Sequence, residues 1–432
     1  MRVLLLAEKC HPDKPSLPVV GYKACRALAE QAETVLVTHV RNREAIERAG
    51  MGGAQVIYVD NEYIARPMAR LGKRLRRGNT LGWTTGAALA YPAYLAFERE
   101  VWKRLGPELK AGRFDVVHRV TPMSPTTPSP LACWSPVPFV LGPLNGGLAW
   151  PATFQDRRRA EREWFSYVRG AHRWLPYYRA TFRRSAAILA GFEHTIRDIP
   201  SGNEARVIDF PEVGVDPALF AGADDRPLPQ QPMQFLFVGR LVPYKCADLV
   251  IEAFAASDLL RRQRLRIVGD GPQRSELERL IHQHGLEGCV ERTGSRSQAE
   301  VGRMMREADV LAFPSIRELG AGVVVEAMAC GLACVVVDYG GPGGLIEADR
   351  GVKVPLGSPQ QIVHDLTRQM ESLVQQPERV RELGQAARRF VLSEYTWQRK
   401  AEKCIQVYRW VTGQRPDKPA FLETAQAAGA VQ

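Results

Sequence analysis

Two pairs of charged side chains in the second half of the chain have types and spacings suited to handling phosphate and sugar. Arg240 and Lys245 stand five apart in FVGRLVPYK (237–245), just past an apolar run that reads as a strand. Two cations in such a turn can converge on a diphosphate, the guanidinium through a planar fork and the ammonium as a point charge. Glu318 and Glu326 stand eight apart in PSIRELGAGVVVEAMACGLACVVVDYGGPGGLI (314–346), with Gly320, Ala321 and Gly322 between them. Small residues ahead of a helix leave its first N–H groups open to an anion, and the helix dipole favours negative charge there. Glu318 sits at that mouth. Glu326, about one turn in, can accept two hydrogen bonds from a diol such as a ribose. Phosphate on amides and hydroxyls on carboxylates is the chemistry of a nucleotide-sugar site. The same residues also suit a buried α/β segment with two incidental acids and two solvated loop cations, and the spacing alone does not choose.

Weaker signals accompany these. LRIVGDGP (265–272) places Gly269 and Gly271 where backbone could approach a ligand or merely turn tightly. Asn145 and Gly146 follow a strand and could bring backbone near a ligand. His118, on a core strand, suits either a general base or a satisfied core histidine.

The elements that must hold these residues follow from hydrophobic pattern. RVLLLA (2–7) reads as a buried strand, followed by a loop with three prolines, a helix through YKACRALAEQ and a strand TVLVTH (34–39). VIYVD (56–60), FDVVHRV (114–120), PFVLG (138–142), AAILAGF (186–192) and RVIDF (206–210) continue a first α/β series. TLGWTTGAALAYPAYLAFEREVWKRL reads as a packed helix broken at Pro92; its sharper alternative is a lipid-docking surface. Residues 211–234, rich in Pro, Gly and Asp, read as the linker. A second series runs through QFLFVGRL, DLVIEAFAAS, LRIVGDG, PQRSELERLIHQHG with Pro272 at its start, VERTG, DVLAFPS and CVVVDYG. VVVEAMAC suits a buried helix stopped by Gly331, and LACVVVD a strand covered on both faces. YTWQRKAEKCIQVYRWVTG (395–413) is a helix, and 414–432 is expected to be disordered.

Composition bounds the class. A chain of 432 residues exceeds one ordinary core and suits two domains. It is 45% apolar and 24% charged, as soluble globular proteins are. The apolar stretch of MRVLLLAEK ends at Glu8, too short for a signal-peptide core, and no run approaches the ~18 apolar residues of a spanning helix. Cytoplasmic is the expectation. Eight cysteines without a CxxC pair argue for reduced, buried thiols, and eight histidines without HxxxH or HExxH spacing offer no metal ligand set. A net charge of +11 favours acidic partners: phosphates, an anionic membrane surface or nucleic acid. That charge gathers in six basic residues between Arg66 and Arg77, and in a second cluster of Arg157, Arg158, Arg159, Arg162, Arg169, Arg173, Arg179, Arg183 and Arg184.

Taken in order, GRLxxxK, a strand ending GDGP, and PSxxE–x7–EAMACG before an apolar strand resemble glycosyltransferase family 4. VGVDPALF (213–220) resembles that family's domain junction, and YTWQRKAEKCIQVY its last helix. The resemblance implies an α/β chain of the GT-B fold, two Rossmann-like domains facing across a cleft. Residues 1–212 would be the acceptor-binding domain, joined by a returning helix at 396–413, with a linker at 213–234 and a donor-binding domain at 235–395. It implies a metal-independent, retaining hexosyltransferase that needs no cofactor beyond a nucleotide diphosphate sugar as co-substrate. Arg240 and Lys245 would hold the diphosphate, Glu326 the ribose, and Glu318 the sugar near its reacting carbon. Gly320, Ala321, Gly322 and Val323 would meet sugar and phosphate, with Gly269 and Gly271 near the donor and Gly294, Ser295 and Arg296 by the base. Catalysis would fall to Glu318, Arg240 and Lys245, with His118 as a further candidate.

Three departures stand out. The family's Glu-Gly-Phe-Gly is here Glu318-Leu319-Gly320-Ala321. Its first-loop Gly-Gly is Val20-Gly21. The loop GPLNGG (142–147), holding Asn145 and Gly146, lacks the histidine some members carry. The implied partners are a glycan, lipid-linked or phosphorylated acceptor and an anionic membrane surface, at which the protein would sit peripherally; no nucleic acid is expected. A nucleotide-sugar 2-epimerase of the same fold, or a binding protein with a degenerate site, would share these motifs.

Overall fold

The computed structural model describes residues 1–75, 83–160, 171–223 and 226–421. Contacts divide the chain into two units. The first comprises Met1–Gly147, Arg162–Glu212 and Trp397–Gln432, and the second Leu148–Glu161 and Val213–Thr396.

The first unit is built on β1 (Arg2–Ala7), β2 (Glu33–His39), β3 (Gln55–Val59), β4 (Val116–Thr121), β5 (Phe139–Leu144), β6 (Ala187–Ala190) and β7 (Val207–Asp209). They form one parallel sheet in the order β3-β2-β1-β4-β5-β6-β7. β1 is central because its apolar run is covered on both sides. Val3, Leu5 and Ala7 pack beneath the helices Leu17–Ala29 and Trp397–Val411, while Leu4 and Leu6 pack with Tyr94 and Phe97 of the helix Trp83–Lys110. That last helix runs through Pro92, where a break was expected. Tyr94, Phe97, Val101, Leu105 and Leu109 recur at helical spacing and are at most 5% exposed, so packing outweighs the roughly 3 kcal/mol an internal proline costs.

The second unit holds β8 (Gln234–Val238), β9 (Arg264–Val268), β10 (Val290–Gly294), β11 (Val310–Phe313), β12 (Ala333–Val337) and β13 (Val352–Val354). They too are parallel, in the order β10-β9-β8-β11-β12-β13. In each sheet the order reverses beside the first strand, between β1 and β4 and between β8 and β11. Loops leaving the carboxyl ends of such a pair diverge, and ligands of doubly wound sheets bind in the opening.

Three boundaries differ from expectation. Residues 148–161 belong to the second unit although 1–212 was expected to be continuous. Residues 213–234 are no plain linker: Val215 bridges Thr396, Pro217–Phe220 is a helix capped by Asp216, and Val215 and Phe220 are 1% exposed. Their apolar side chains draw a polar stretch into the core. In the expected tail, Phe421 packs on Phe210 with ring centroids 6.2 Å apart; 422–432 lie outside the described residues, as do Arg76, Arg77, Arg162 and Arg169 of the basic clusters. Among the described residues no helix is long and apolar enough to cross a membrane.

Candidate active site

The second unit's switch point brings Lys245 and Glu318 together. β8 ends at Val238, and the chain turns through Gly239-Arg240-Leu241 into a short 3-10 turn, Pro243–Lys245. Gly269 and Gly271 make that turn possible. A Cβ at Gly269 would stand 1.9 Å from the Gly239 carbonyl oxygen, and one at Gly271 would stand 2.4 Å from that of Leu241. These two glycines therefore admit neighbouring backbone, and they do not line the adjacent cavity.

Lys245 Nζ is ion-paired with the Glu318 carboxylate and stands 4.8 Å from the centre of the Phe313 ring. Burial and the neighbouring Arg240 guanidinium press the Lys245 ammonium down to about 7. An anion arriving there would raise it again, since an opposite charge favours the charged form. Glu318 is fixed through its backbone: its carbonyl accepts from Gly341 N at 2.9 Å, and a Cβ at Gly340 would lie 2.5 Å from the same oxygen. Sequence reading assigned no role to the GGPGG run, although its glycine density was a signal of close backbone approach.

Past Glu318 the chain enters the helix Gly322–Ala329 through Ala321, which adopts a left-handed conformation at φ 52°. A cavity of ≈ 200 Å³ opens beside that entry, lined by Lys245, Glu318, Val323, Glu326, Arg296 and Gly239, together with Phe220, Val238, Gln298 and Val301. The last four were not singled out from sequence. Phe220 comes from the stretch expected to be linker, and Gln298 begins the helix after β10. Leu319, Gly320, Ala321 and Gly322 fill the chain between Glu318 and Val323. Arg240 is exposed outside the lining; its carbonyl accepts from Val242 N at 2.9 Å, and among the described residues its guanidinium makes no hydrogen bond or ion pair. Gly294 turns at φ 71° and Ser295 is exposed. Among the described residues no three His, Cys, Asp or Glu side chains are placed to hold a metal ion.

In the first unit the picture differs. His118 is 1% exposed, its Nδ1 2.5 Å from the Tyr408 hydroxyl and its Nε2 2.6 Å from the Gly142 carbonyl. Burial lowers it to about 4. Both ring nitrogens are committed to the core, which corrects the catalytic assignment. Asn145 donates to Glu212, and the Gly146 backbone is tied to Thr195 Oγ1 at 3.0–3.3 Å. Gly21 lets its helix meet β1's loop, where a Cβ would lie 2.5 Å from Lys9 O; Val20 beside it is half-buried.

Two parallel, doubly wound sheets in one chain, the second with a charged cavity at its switch point, define the GT-B architecture. Residues 223–390 match the family described as glycosyl transferases group 1. It is 32% identical over 185 residues to a D-inositol 3-phosphate glycosyltransferase of Gordonia bronchialis, covering 40% of this chain and 39% of that one. The protein of that name from Kineococcus radiotolerans is 33% identical over 242 residues, 49% of this chain and 53% of its own. The chain thus spans about half or less of these relatives. Sucrose-phosphate synthase of Thermosynechococcus elongatus superposes with a TM-score of 0.65 at 16% identity, covering 96% of this chain and all of that one.

Proposed function

We propose that the protein is a glycosyltransferase. It takes a nucleoside diphosphate sugar in the second unit and passes the hexosyl group, without a metal and with retention, to an acceptor held by the first. The observation that carries this reading is the meeting of Lys245, Glu318 and Glu326 in one cavity at the entry of the helix Gly322–Ala329. Lys245 exchanges Glu318 for the donor diphosphate and stabilises the charge that develops as the anomeric carbon leaves it. Glu326 takes the ribose hydroxyls, and Glu318, released from its ion pair, faces the sugar. The first test is thermal shift with UDP, GDP and ADP and their glucosyl derivatives, since a ligand of the native state raises its stability. One of them should raise the melting temperature of the wild type, and Lys245→Ala should lose that rise, and transfer with it, while keeping its own fold. Near-normal turnover by Lys245→Ala would remove the diphosphate role.

An anionic acceptor at the cytoplasmic face of a membrane is the second part of the proposal. Trp174, 90% exposed, stands next to Arg173 and close in sequence to Tyr177, Arg179, Arg183 and Arg184, and lipid headgroups suit an aromatic among arginines. Co-sedimentation should favour phosphatidylglycerol vesicles over phosphatidylcholine vesicles and weaken with salt. Equal binding to both would contradict it.

A further inference from the structure

Residues 148–157 belong to the second unit and pack beside the turn that carries Lys245. Arg157 Nη1 donates to the Pro243 carbonyl at 2.7 Å and to Asp248 Oδ1 at 3.0 Å, and Nη2 donates to Asp248 Oδ2. The pair is largely buried, with side chains 17% and 14% exposed. Pro243 and Asp248 bracket Lys245, so one forked guanidinium clasps both ends of its turn. Trp150, 7% exposed, holds the opposite arm. Its ring lies 6.3 Å from that of Tyr244, directly before Lys245, and Arg317, directly before Glu318, stacks 5.1 Å from the Trp150 ring centre. Tyr244 O in turn accepts from Ser315 Oγ at 3.1 Å and Ile316 N at 3.0 Å.

We propose that 148–157 is a strap whose Arg157 and Trp150 are positioning residues. They set the separation of Lys245 and Glu318 and so the affinity of the site for a diphosphate. The segment is anchored at its other points by Tyr339 Oη donating to Ala149 O at 2.9 Å and Thr153 Oγ1 donating to Gly357 O at 3.1 Å. A strap fixed at several points and holding two loops by their neighbours is what keeps an ammonium and a carboxylate in one geometry when neither lies on a regular element. Arg157 also leaves the basic surface cluster in which its sequence neighbours placed it, because its charge is spent on Asp248 and Pro243.

The proposal rests on the donor-site reading, and two measurements keep the two separate. In the ligand-free protein, hydrogen exchange is followed at the amides of Lys245, bonded to Val242 O, and Ile316, bonded to Tyr244 O. Arg157→Gln and Trp150→Ala should speed both by about tenfold or more, leaving β9 and β12 protected as in the wild type. Unchanged exchange at 244–246 and 315–318 in both variants would overturn the strap. The second measurement is the affinity of the probe nucleoside diphosphate for the full chain. It should fall by about tenfold in Arg157→Gln, less in Arg157→Lys, which keeps the charge without the fork, and recover in part in the double variant Arg157→Asp, Asp248→Arg. Equal affinity across the series would also overturn the strap. If no nucleoside diphosphate binds the wild type, the donor reading falls while the exchange data still decide the strap.

Discussion

At the scale of the residue, Ala321 sits between the two acids in the left-handed region, at φ 52° and ψ 38°, with its methyl fully buried. A non-glycine residue there costs about 1–2 kcal/mol. Replacing it with glycine relieves that strain, but it gives back about 0.5–1 kcal/mol of chain entropy and roughly 0.8 kcal/mol of buried methyl. Ala321→Gly should therefore lie within about 1 kcal/mol of the wild type. Ala321→Val faces costs of one sign. A β-branched side chain disfavours this backbone, and its extra carbons overpack a closed site, so stability should fall by about 2–4 kcal/mol in urea unfolding. A valine variant as stable as the wild type would show that the helix entry is not held in this conformation. The alanine at the position where the family usually carries glycine is thus tolerated because its three terms nearly cancel.

At the scale of the element, what could be read from the sequence was what local pattern controls. RVLLLA and LACVVVD announce central strands because an uninterrupted apolar run needs cover on both faces, and Gly331 announces a helix stop because φ 79° is open to glycine. The pairing of Lys245 with the Glu318–Glu326 region was legible through the order of motifs, although no spacing between residues 245 and 318 predicts an ion pair. What was not legible depends on partners distant in sequence. Residues 148–161 read as part of the first series, and only contacts such as Arg157 with Asp248 show which unit they join. The helix through Pro92 was hidden for the same reason, since its support is the packing of Tyr94 and Phe97 on β1. His118 was ambiguous until its two ring nitrogens found the Tyr408 hydroxyl and the Gly142 carbonyl, one of them 290 residues away.

At the scale of the whole molecule, the chain leaves the first unit at Glu212 and re-enters it at Trp397, and two buried titratable side chains stand by these two crossings. Glu212 and Lys400, each 6% exposed, line a cavity of ≈ 20 Å³ with Trp397 and His118. Asn145 donates to Glu212, and Lys400 donates to Pro211 O with its ammonium 3.6 Å from the Phe210 ring centre. Burial raises Glu212 from 4.5 to about 7, and burial with Lys403 nearby lowers Lys400 from 10.5 to about 7. The signs are opposite. Between 4.5 and about 7 the native state keeps the Glu212 proton that the unfolded chain has released, so this contribution falls as pH rises. Between about 7 and 10.5 the unfolded chain holds the Lys400 proton that the native state has lost, so that contribution rises with pH. Glu212→Gln removes only the first limb, and the amide oxygen can still accept from Asn145. The variant should match the wild type near pH 4.5 and exceed it at pH 8 by an amount on the order of 2 kcal/mol. Urea unfolding across that range is the measurement. A wild-type stability that climbs steadily from pH 4.5 to 7, with no gain in the variant at pH 8, would mean that Glu212 carries its charge at an ordinary cost and that Lys400 meets it as a full ion pair.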